Sequence, residues 1–194
     1  MEIMKNPFED FIYRRVKKPR DYEVQEILSI FSMKKYDKGA LFKEGNTVVK
    51  KLGFLVNGSA RTYFINDKGD EITDEIVQKN NFLSDIISVR TGEKSPIIIE
   101  ILEKSTVLVA DMEKVWVLFE QNITFNILIR EYIGDRSMAL LKKYLLFLNG
   151  TANERYKYII ETNPEILKKY PLKYIASMIG ITQTQLSRIR NQKK

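Results

Sequence analysis

The last part of the chain carries four polar side chains at a spacing that places them on one face of a short helix. They are Gln183, Thr184, Ser187 and Arg188. Arg can form two hydrogen bonds to a guanine edge, Gln can pair with an adenine edge, and hydroxyl groups bind phosphate oxygens. The spacing therefore predicts a DNA-reading surface, with Arg188 and Gln183 at base edges and the two hydroxyl residues in secondary positions.

Local patterns place the start of that helix and a second helix before it. Gly180 supplies a bend, and Thr182 can cap the next helix while Gln185 reaches back to the Thr182 backbone. Thr182 also has a hydroxyl that could touch phosphate. Apolar residues at helical spacing predict the buried side of the pair: Ile175, Ala176, Ile179, Ile181, Leu186 and Ile189. Together these patterns predict a helix-turn-helix. The alternative is a structural helical hairpin whose polar residues are only solvated.

The charge distribution favours the DNA-reading alternative. The whole chain has 32 Lys and Arg and 25 Asp and Glu. From Thr151 onward there are nine basic and three acidic residues, so six of the seven net positive charges lie in this segment. Phosphate binding requires such an excess. The residues predicted to hold phosphates are Lys173, Arg190, Lys193 and Lys194.

The composition limits the classes of function. The sequence of 194 residues is 44% apolar and contains no Cys and no His. Without these residues there is no Ser-His-Asp triad, no ordinary zinc site, no cysteine-held iron-sulfur cluster and no His-ligated or Cys-ligated haem. The chain is therefore predicted not to be an enzyme and to hold no cofactor or metal. No apolar run approaches twenty residues and the N-terminus lacks a signal-peptide pattern, which predicts a cytoplasmic protein without a membrane partner.

Between Lys34 and Asp111 the sequence consists of short apolar runs separated by turn residues such as Asn57-Gly58. The predicted strands are Ala40–Lys43, Lys51–Val56, Ala60–Ile65, Glu71–Val77, Ile97–Leu102 and Thr106–Ala110. Regularly spaced short strands without helices between them favour an antiparallel barrel or jelly roll.

Helices are predicted on both sides of the strands. Asn6–Phe31 has the pattern of short helices broken near Pro19, Met112–Gln121 is one further helix, and Thr124–Asn149 is a long one. The long helix has a wide apolar face comprising Ile129, Ile133, Leu140, Leu141, Tyr144, Leu145, Phe147 and Leu148. Part of this face could pair with a second copy in a coiled-coil-like seam. Packing against the β domain is the alternative.

Asn149-Gly150 ends the long helix, and Thr151 with Glu154 starts a new one through a second capping-box pattern. The sequence thus predicts an α+β protein in three segments. Residues 1–123 form a β-barrel or jelly-roll sensor domain with flanking helices, 124–149 a dimerisation helix, and 150–194 a small helix-turn-helix DNA-binding domain.

This order of segments resembles the Crp/Fnr family of bacterial transcription regulators. In the first domain, Phe42-Lys43-Glu44-Gly45, Phe54-Leu55-Val56-Asn57-Gly58 and Gly69 match the glycine-punctuated frame of the cyclic-nucleotide-binding fold. In the last domain, Gly180–Ile189 looks like the family's turn and recognition helix. Gln183, Thr184 and Arg188 fall where its members place base-contacting residues. The entry into this motif from Tyr170 is similar to the branch of the family common in Bacteroidetes.

The sequence departs from the family at the cyclic-nucleotide site. Members that bind cyclic nucleotides carry a Gly-Glu pair for the ribose and, about ten residues later, an Arg for the phosphate. In the matching segment, which begins at Phe82, Ser84 replaces the glycine, Asp85 the glutamate and Ser95 the arginine. A buried phosphate without its Arg is poorly compensated. These four residues are the candidate effector pocket, and cyclic AMP is not expected to be the effector.

The resemblance implies a homodimeric, sequence-specific regulator that binds double-stranded DNA and has a degenerate cyclic-nucleotide-like domain, with an unknown small molecule as a possible effector. The alternative is a small-molecule sensor that signals through the long helix to a protein partner without reading DNA. A cupin-type β-barrel enzyme is the third reading, although metal-dependent cupins use histidine ligands that this sequence lacks.

Overall fold

The computed structural model describes residues 6–191, so the predicted phosphate contacts Lys193 and Lys194 lie outside the described residues. The chain forms two compact units. The first takes the chain up to Thr62 together with Ile76–Gly134, and the second takes Tyr63–Glu75 together with the chain from Asp135 onward. The division of the chain into segments ending at residues 123 and 149 stays a prediction.

The strands follow the predicted runs closely. They are β1 (Ser32–Tyr36), β2 (Leu41–Lys43), β3 (Lys51–Asn57), β4 (Ser59–Ile65), β5 (Glu71–Gln78), β6 (Phe82–Leu83), β7 (Ile98–Ile101) and β8 (Ser105–Asp111). Within residues 6–191 they form two four-stranded sheets, ordered β1-β8-β3-β6 and β2-β7-β4-β5. The pairs of β8 with β1 and β3, of β3 with β6, and of β2 with β7 are antiparallel, as in the predicted jelly roll.

Most of the helices occur where the periodicity places them. They are α1 (Pro7–Arg15), α2 (Asp21–Ser29), α3 (Ile86–Thr91), α4 (Met112–Gln121), α5 (Ile123–Asn149), α6 (Ala152–Thr162), α7 (Ile166–Lys169), α8 (Leu172–Met178) and α9 (Gln183–Asn191). Asn6 begins α1 by accepting a hydrogen bond from the Phe8 backbone at 3.0 Å. The sequence did not predict β1, β6, α3 and α7. The strand β1 has no apolar alternation because it is an exposed edge, where lysines protect against pairing with another chain.

The first unit has two apolar clusters on opposite sides of the sheet that contains β3 and β6. One is aromatic, with the Phe54 ring centroid 4.5 Å from Phe8 and 5.4 Å from Phe82. The other contains Leu55, Leu83 and Ile99, and so joins strands of both sheets. Phe54 and Leu55 are adjacent on β3, as are Phe82 and Leu83 on β6. The strand alternation therefore assigns each member of these pairs to a different cluster.

The start of α5 is held by α2 within the first unit. The carboxylate of Glu23 is buried and accepts hydrogen bonds from the hydroxyl and the backbone N–H of Thr124, the latter at 3.2 Å. Burial raises the pKa of Glu23, but the hydrogen bonds from Thr124 outweigh it and hold the pKa below its usual value. A charged carboxylate is stabilising at the N-terminus of a helix.

The long helix divides into a buried and an exposed part. Thr124, Phe125, Leu128 and Ile129 are buried in the first unit, so the part of the predicted apolar face that contains Ile129 packs within that unit. Beyond Gly134 the helix carries apolar side chains that are 50% to 61% exposed: Leu140, Leu141, Tyr144, Leu145 and Leu148.

The tip of the β4–β5 hairpin belongs to the second unit. Glu75 pairs with both terminal nitrogens of Arg136. The amine of Lys143 lies 3.2 Å from an Asp74 carboxylate oxygen. The backbone N–H of Thr73 donates to the Ser177 hydroxyl at 3.1 Å, so the hairpin tip contacts α5 and α8 within this unit.

None of the helices in residues 6–191 has the length and apolarity that spanning a lipid bilayer demands.

Candidate nucleic-acid interface

The start of α9 is fixed by a reciprocal cap. The Gln185 backbone N–H donates to the Thr182 hydroxyl at 3.1 Å, while the Thr182 backbone N–H donates to Gln185 Oε1 at 2.9 Å. This is the predicted capping box, and it satisfies two N–H groups that the first turn would otherwise leave without partners. The hydroxyl of Thr182 is therefore committed to the cap and also lies 3.2 Å from Gln185 Oε1.

The turn between α8 and α9 depends on Gly180. Its φ is +68°, in the left-handed region that other residues adopt only with strain. The Ile181 backbone N–H donates to Ala176 O at 3.0 Å and so closes the turn over the end of α8. Gly180 thus gives the change of direction that its position in the sequence predicted.

One face of the two helices is buried. Ile175, Ala176 and Ile179 on the α8 side and Leu186 and Ile189 on α9 are all buried, whereas Ile181 is half-buried. This is the apolar set that the spacing predicted. Burial of these residues fixes which face of α9 points outward.

The exposed face of α9 carries the four predicted reading residues. Gln183, Thr184, Ser187 and Arg188 are all exposed, in the first two turns of the helix. Their amide, hydroxyl and guanidinium groups form a continuous set of hydrogen-bond donors and acceptors on a convex helix surface. Such a set can bond to base edges in a major groove, which is wide enough to admit an α-helix.

The flanking basic residues differ in their surroundings. Lys173 is exposed on α8, with its amine 5.2 Å from the centre of the Tyr174 ring. Arg190 is half-buried near the end of α9. Lys168 pairs with Glu165 at 3.0 Å, and Lys157 lies 3.7 Å from Glu161.

Arg155 is engaged inside the second unit. Its Nε donates to Gly150 O at 3.2 Å, and its Nη1 donates to Ile179 O at 3.1 Å. The guanidinium carbon also lies 4.8 Å from the centre of the Phe147 ring. The sequence indicates Arg155 only as part of the basic excess, because no local pattern links it to Ile179.

The second capping box is also present. Thr151 N–H donates to Glu154 Oε2 at 2.7 Å, and Glu154 N–H donates to the Thr151 hydroxyl at 3.3 Å. The hydrogen bonds from Thr151 hold the pKa of Glu154 below its usual value. Gly150 precedes this cap, and a side chain there would lie 2.5 Å from Leu146 O, so the junction between α5 and α6 excludes any larger residue.

Two of the four candidate effector residues meet at one buried amine. Lys43 Nζ lies 3.1 Å from Asp85 Oδ2, and it donates to Ser95 O at 3.3 Å and to Ile97 O at 2.8 Å. Asp85 Oδ1 caps α3 by accepting from the Ile87 and Ser88 backbones. The sequence places Lys43 only in the glycine-punctuated frame and gives no signal that it lies beside Asp85.

The other two candidates lie in different surroundings. Phe82 packs in the aromatic cluster, 4.9 Å from the Tyr132 ring, and its backbone N–H donates to the Tyr132 hydroxyl at 3.2 Å. Ser84 is half-buried. In the part of the chain that the structure describes, no three Asp or Glu side chains come together as a metal site would need.

Solved structures share this fold. FixK2 from Bradyrhizobium japonicum is similar at a TM-score of 0.69 and 15% identity, covering 84% of each chain. CLP, the c-di-GMP responsive global regulator of Xanthomonas campestris, is similar at 0.67 and 13% identity, covering 89% of this chain and 91% of that one. A transcriptional regulator of the Crp/Fnr family from Eubacterium rectale is similar at 0.66 and 15% identity, covering 88% of this chain and 81% of that one.

These similarities establish the architecture: the chain has the fold of Crp/Fnr regulators, as its order of segments predicted. No family model and no curated protein matches the sequence itself.

Proposed function

We propose that this chain is a sequence-specific DNA-binding transcription regulator of the Crp/Fnr type. The observation that carries the proposal is the division of α9 into a buried face, with Leu186 and Ile189, and an exposed face that ends in Arg188. A helix that only completed a structural hairpin would have no need for four base-compatible side chains on its solvent side. The shared fold with regulators such as CLP supports the same function.

In this proposal α9 enters the major groove of double-stranded DNA. Arg188 and Gln183 contact base edges, Thr184 and Ser187 take secondary positions, and Thr182 keeps the N-terminus of the helix in place. Lys173 and Arg190 bind phosphates on either side. Phosphate contacts fix the register of the protein, whereas the base contacts choose the sequence.

The active species in this proposal is a homodimer that pairs along the second half of α5. Its exposed apolar face, which includes Leu141, Leu145 and Leu148, is wider than a solvated helix needs. Two copies would place two recognition helices about 34 Å apart, one turn of DNA, and so would read an approximately palindromic operator. Gly134 has open space around the position of a side chain, which allows a second helix to approach closely there.

The sensor domain is proposed to work without cyclic AMP. Asp85, at the position of the ribose-binding glutamate, is engaged by Lys43 and by the first turn of α3. Ser95, at the position of the phosphate-binding arginine, is buried and holds Lys43 through its carbonyl. An organic effector of a different kind, or none, is consistent with these contacts.

The test is a binding-site selection from a randomised DNA duplex library with the full chain, followed by anisotropy titration of the selected duplex. We expect an enriched, approximately two-fold symmetric motif. A matched pair of variants identifies the surface: Arg188→Ala should lose discrimination, whereas Lys104→Ala, which removes a positive charge from an exposed turn of the first unit, should not. Selection that returns no enriched motif would refute the proposal.

A further inference from the structure

We propose that Arg155 is a positioning residue that fixes the direction of the reading helix relative to the end of the long helix. This inference rests on the proposed DNA-reading function. It assigns to Arg155 a role that differs from phosphate binding, although Arg155 lies in the most basic part of the chain.

Arg155 links the ends of two helices. Gly150 O follows the last residue of α5, and Ile179 O follows the last residue of α8, and the guanidinium donates to both, at 3.2 and 3.1 Å. Carbonyl groups at helix C-termini carry partial negative charge and lack intrahelical partners, so a cation is the favoured donor there. Because the guanidinium is planar and rigid, the two carbonyls are held at a set distance and angle.

The third contact fixes the plane of that guanidinium. Its carbon lies 4.8 Å from the centre of the Phe147 ring, in the last turn of α5. A cation over an aromatic face is attracted by the ring quadrupole. Arg155 is thus held by the side chain of α5, the carbonyl that follows α5 and the carbonyl that follows α8.

We call the contacts of Arg155 with Phe147, Gly150 O and Ile179 O the joint. The turn between α8 and α9 packs against it. A side chain at Gly180 would lie 3.2 Å from both Arg155 Nη1 and Phe147 Cε1, so the turn backbone is in close contact with them. Thr182, the cap of α9, follows two residues later. A change in the orientation of the Arg155 guanidinium relative to α5 therefore moves the start of α9, the reading helix.

Two consequences separate this role from phosphate binding. First, the positive charge of Arg155 is used inside the protein, so its removal should leave the salt dependence of DNA binding unchanged. Second, in a dimer the direction of each α9 decides which separation of half-sites fits both subunits at once. Loss of the joint should therefore broaden the preferred half-site spacing.

The experiment uses the full chain and duplexes in which two copies of the selected half-site are separated by one base pair more or less than the optimum. Arg155→Met is expected to bind the optimal duplex about tenfold more weakly, in line with loss of hydrogen bonds to a charged group, and to discriminate less between spacings. The slope of log affinity against log salt should equal that of the wild type. Lys173→Met is the comparison variant. Its slope of log affinity against log salt should be smaller than that of the wild type, while its preference for half-site spacing should be unchanged.

Two further variants keep the test decisive. Ile159→Val removes one methyl group from the buried side of α6 and controls for a general loss of stability; its spacing preference should match the wild type. Arg155→Lys keeps the charge but replaces the rigid, planar guanidinium with an ammonium group on a flexible stem, so it should also broaden the spacing. If the Met variant does not fold, the Lys variant decides.

The proposal is overturned if the Arg155 variants keep the wild-type spacing preference, or if Arg155→Met lowers the salt slope as Lys173→Met does. Failure of the wild-type chain to select any DNA motif is a different result and refutes the proposed function itself.

Discussion

The amine of Lys43 lies 3.1 Å from the carboxylate of Asp85, and the two side chains are only 3% and 1% exposed. Asp85, which the resemblance to cyclic-nucleotide receptors matches to the ribose-binding glutamate, is thus engaged by a residue of the same chain. We predict that isothermal titration of the wild-type protein with millimolar cyclic AMP gives no saturable heat. Tight, saturable binding would contradict the assignment of Asp85 to an internal ion pair.

The same pair should be necessary for stability. Lys43→Met leaves the Asp85 carboxylate buried without its partner, and breaking such a pair from one side costs about 3–5 kcal/mol in the free energy of unfolding. Denaturant unfolding followed by circular dichroism measures the loss. Lys35→Met on the exposed strand β1 is the control and should change stability by less than about 0.5 kcal/mol. Equal stability of the two variants would show that the pair contributes nothing.

Base and phosphate contacts should respond differently to mutation. Arg188→Ala is expected to cost about 1–3 kcal/mol of binding free energy and to relax the preference at one base pair, because a bidentate contact to one base is lost. Lys173→Ala should weaken all sequences alike and reduce the salt slope by about 1 per subunit. Anisotropy titrations on the selected duplex and its single-base variants, at several salt concentrations, distinguish the base contact from the phosphate contact. Loss of specificity in Lys173→Ala, with Arg188→Ala unaffected, would reverse these assignments.

The exposed face of α5 should hold two copies together. Leu141→Glu combined with Leu145→Glu places two carboxylates on that face, and we expect a monomer with weakened operator binding, measured by sedimentation and by anisotropy. Ala139→Glu is exposed on a different side of the helix, by its rotation of about 100° per residue, and should leave the dimer intact. A wild-type chain that sediments as a monomer would rule out this seam.

The contact between Glu23 and Thr124 gives a defined pH dependence. Because the pKa of Glu23 is lowered in the folded protein, its contribution to stability is present above the pKa of the unfolded chain. That contribution is lost as the pH falls through the folded-state value. The stability difference between wild type and Glu23→Gln should therefore be largest near neutral pH and shrink below about pH 4. The exposed Glu120→Gln is the control. A difference that grows on acidification would mean that the pKa is raised.

The features that the sequence predicts correctly are those with a local signal. The caps at Thr151 and Thr182 each need one partner three residues away, and the turn at Gly180 needs one glycine. The caps and the turn can therefore be recognised in a short stretch of sequence. Short apolar runs bounded by turn residues predict most of the strands, and the run is continuous in strands such as β3 because both of its faces are buried. The exposed face of α9 follows from the same periodicity as its buried one.

The rest depends on contacts between distant parts of the chain. Nothing near Lys43 in the sequence indicates Asp85, and nothing near Arg155 indicates Ile179. The sequence does not predict β1, because its side chains are exposed and its stabilising contacts come from pairing with β8. The apolar stripe of α5 shows which side of the helix is covered but not by what, so the sequence leaves open whether Ile129 packs within the chain or against a second copy.

The hairpin tip Tyr63–Glu75 packs with a part of the chain that is far from it in sequence, and this affects how the protein can be divided. A fragment that begins at Asp135 would leave behind the carboxylates that pair with Arg136 and Lys143, together with the backbone donor to Ser177. Without the acidic hairpin tip the fragment would carry more net positive charge than the whole second unit, and under the proposed function it should bind DNA with less regard to sequence. Chimeras that transplant the reading domain onto another sensor should therefore bring the acidic hairpin with it.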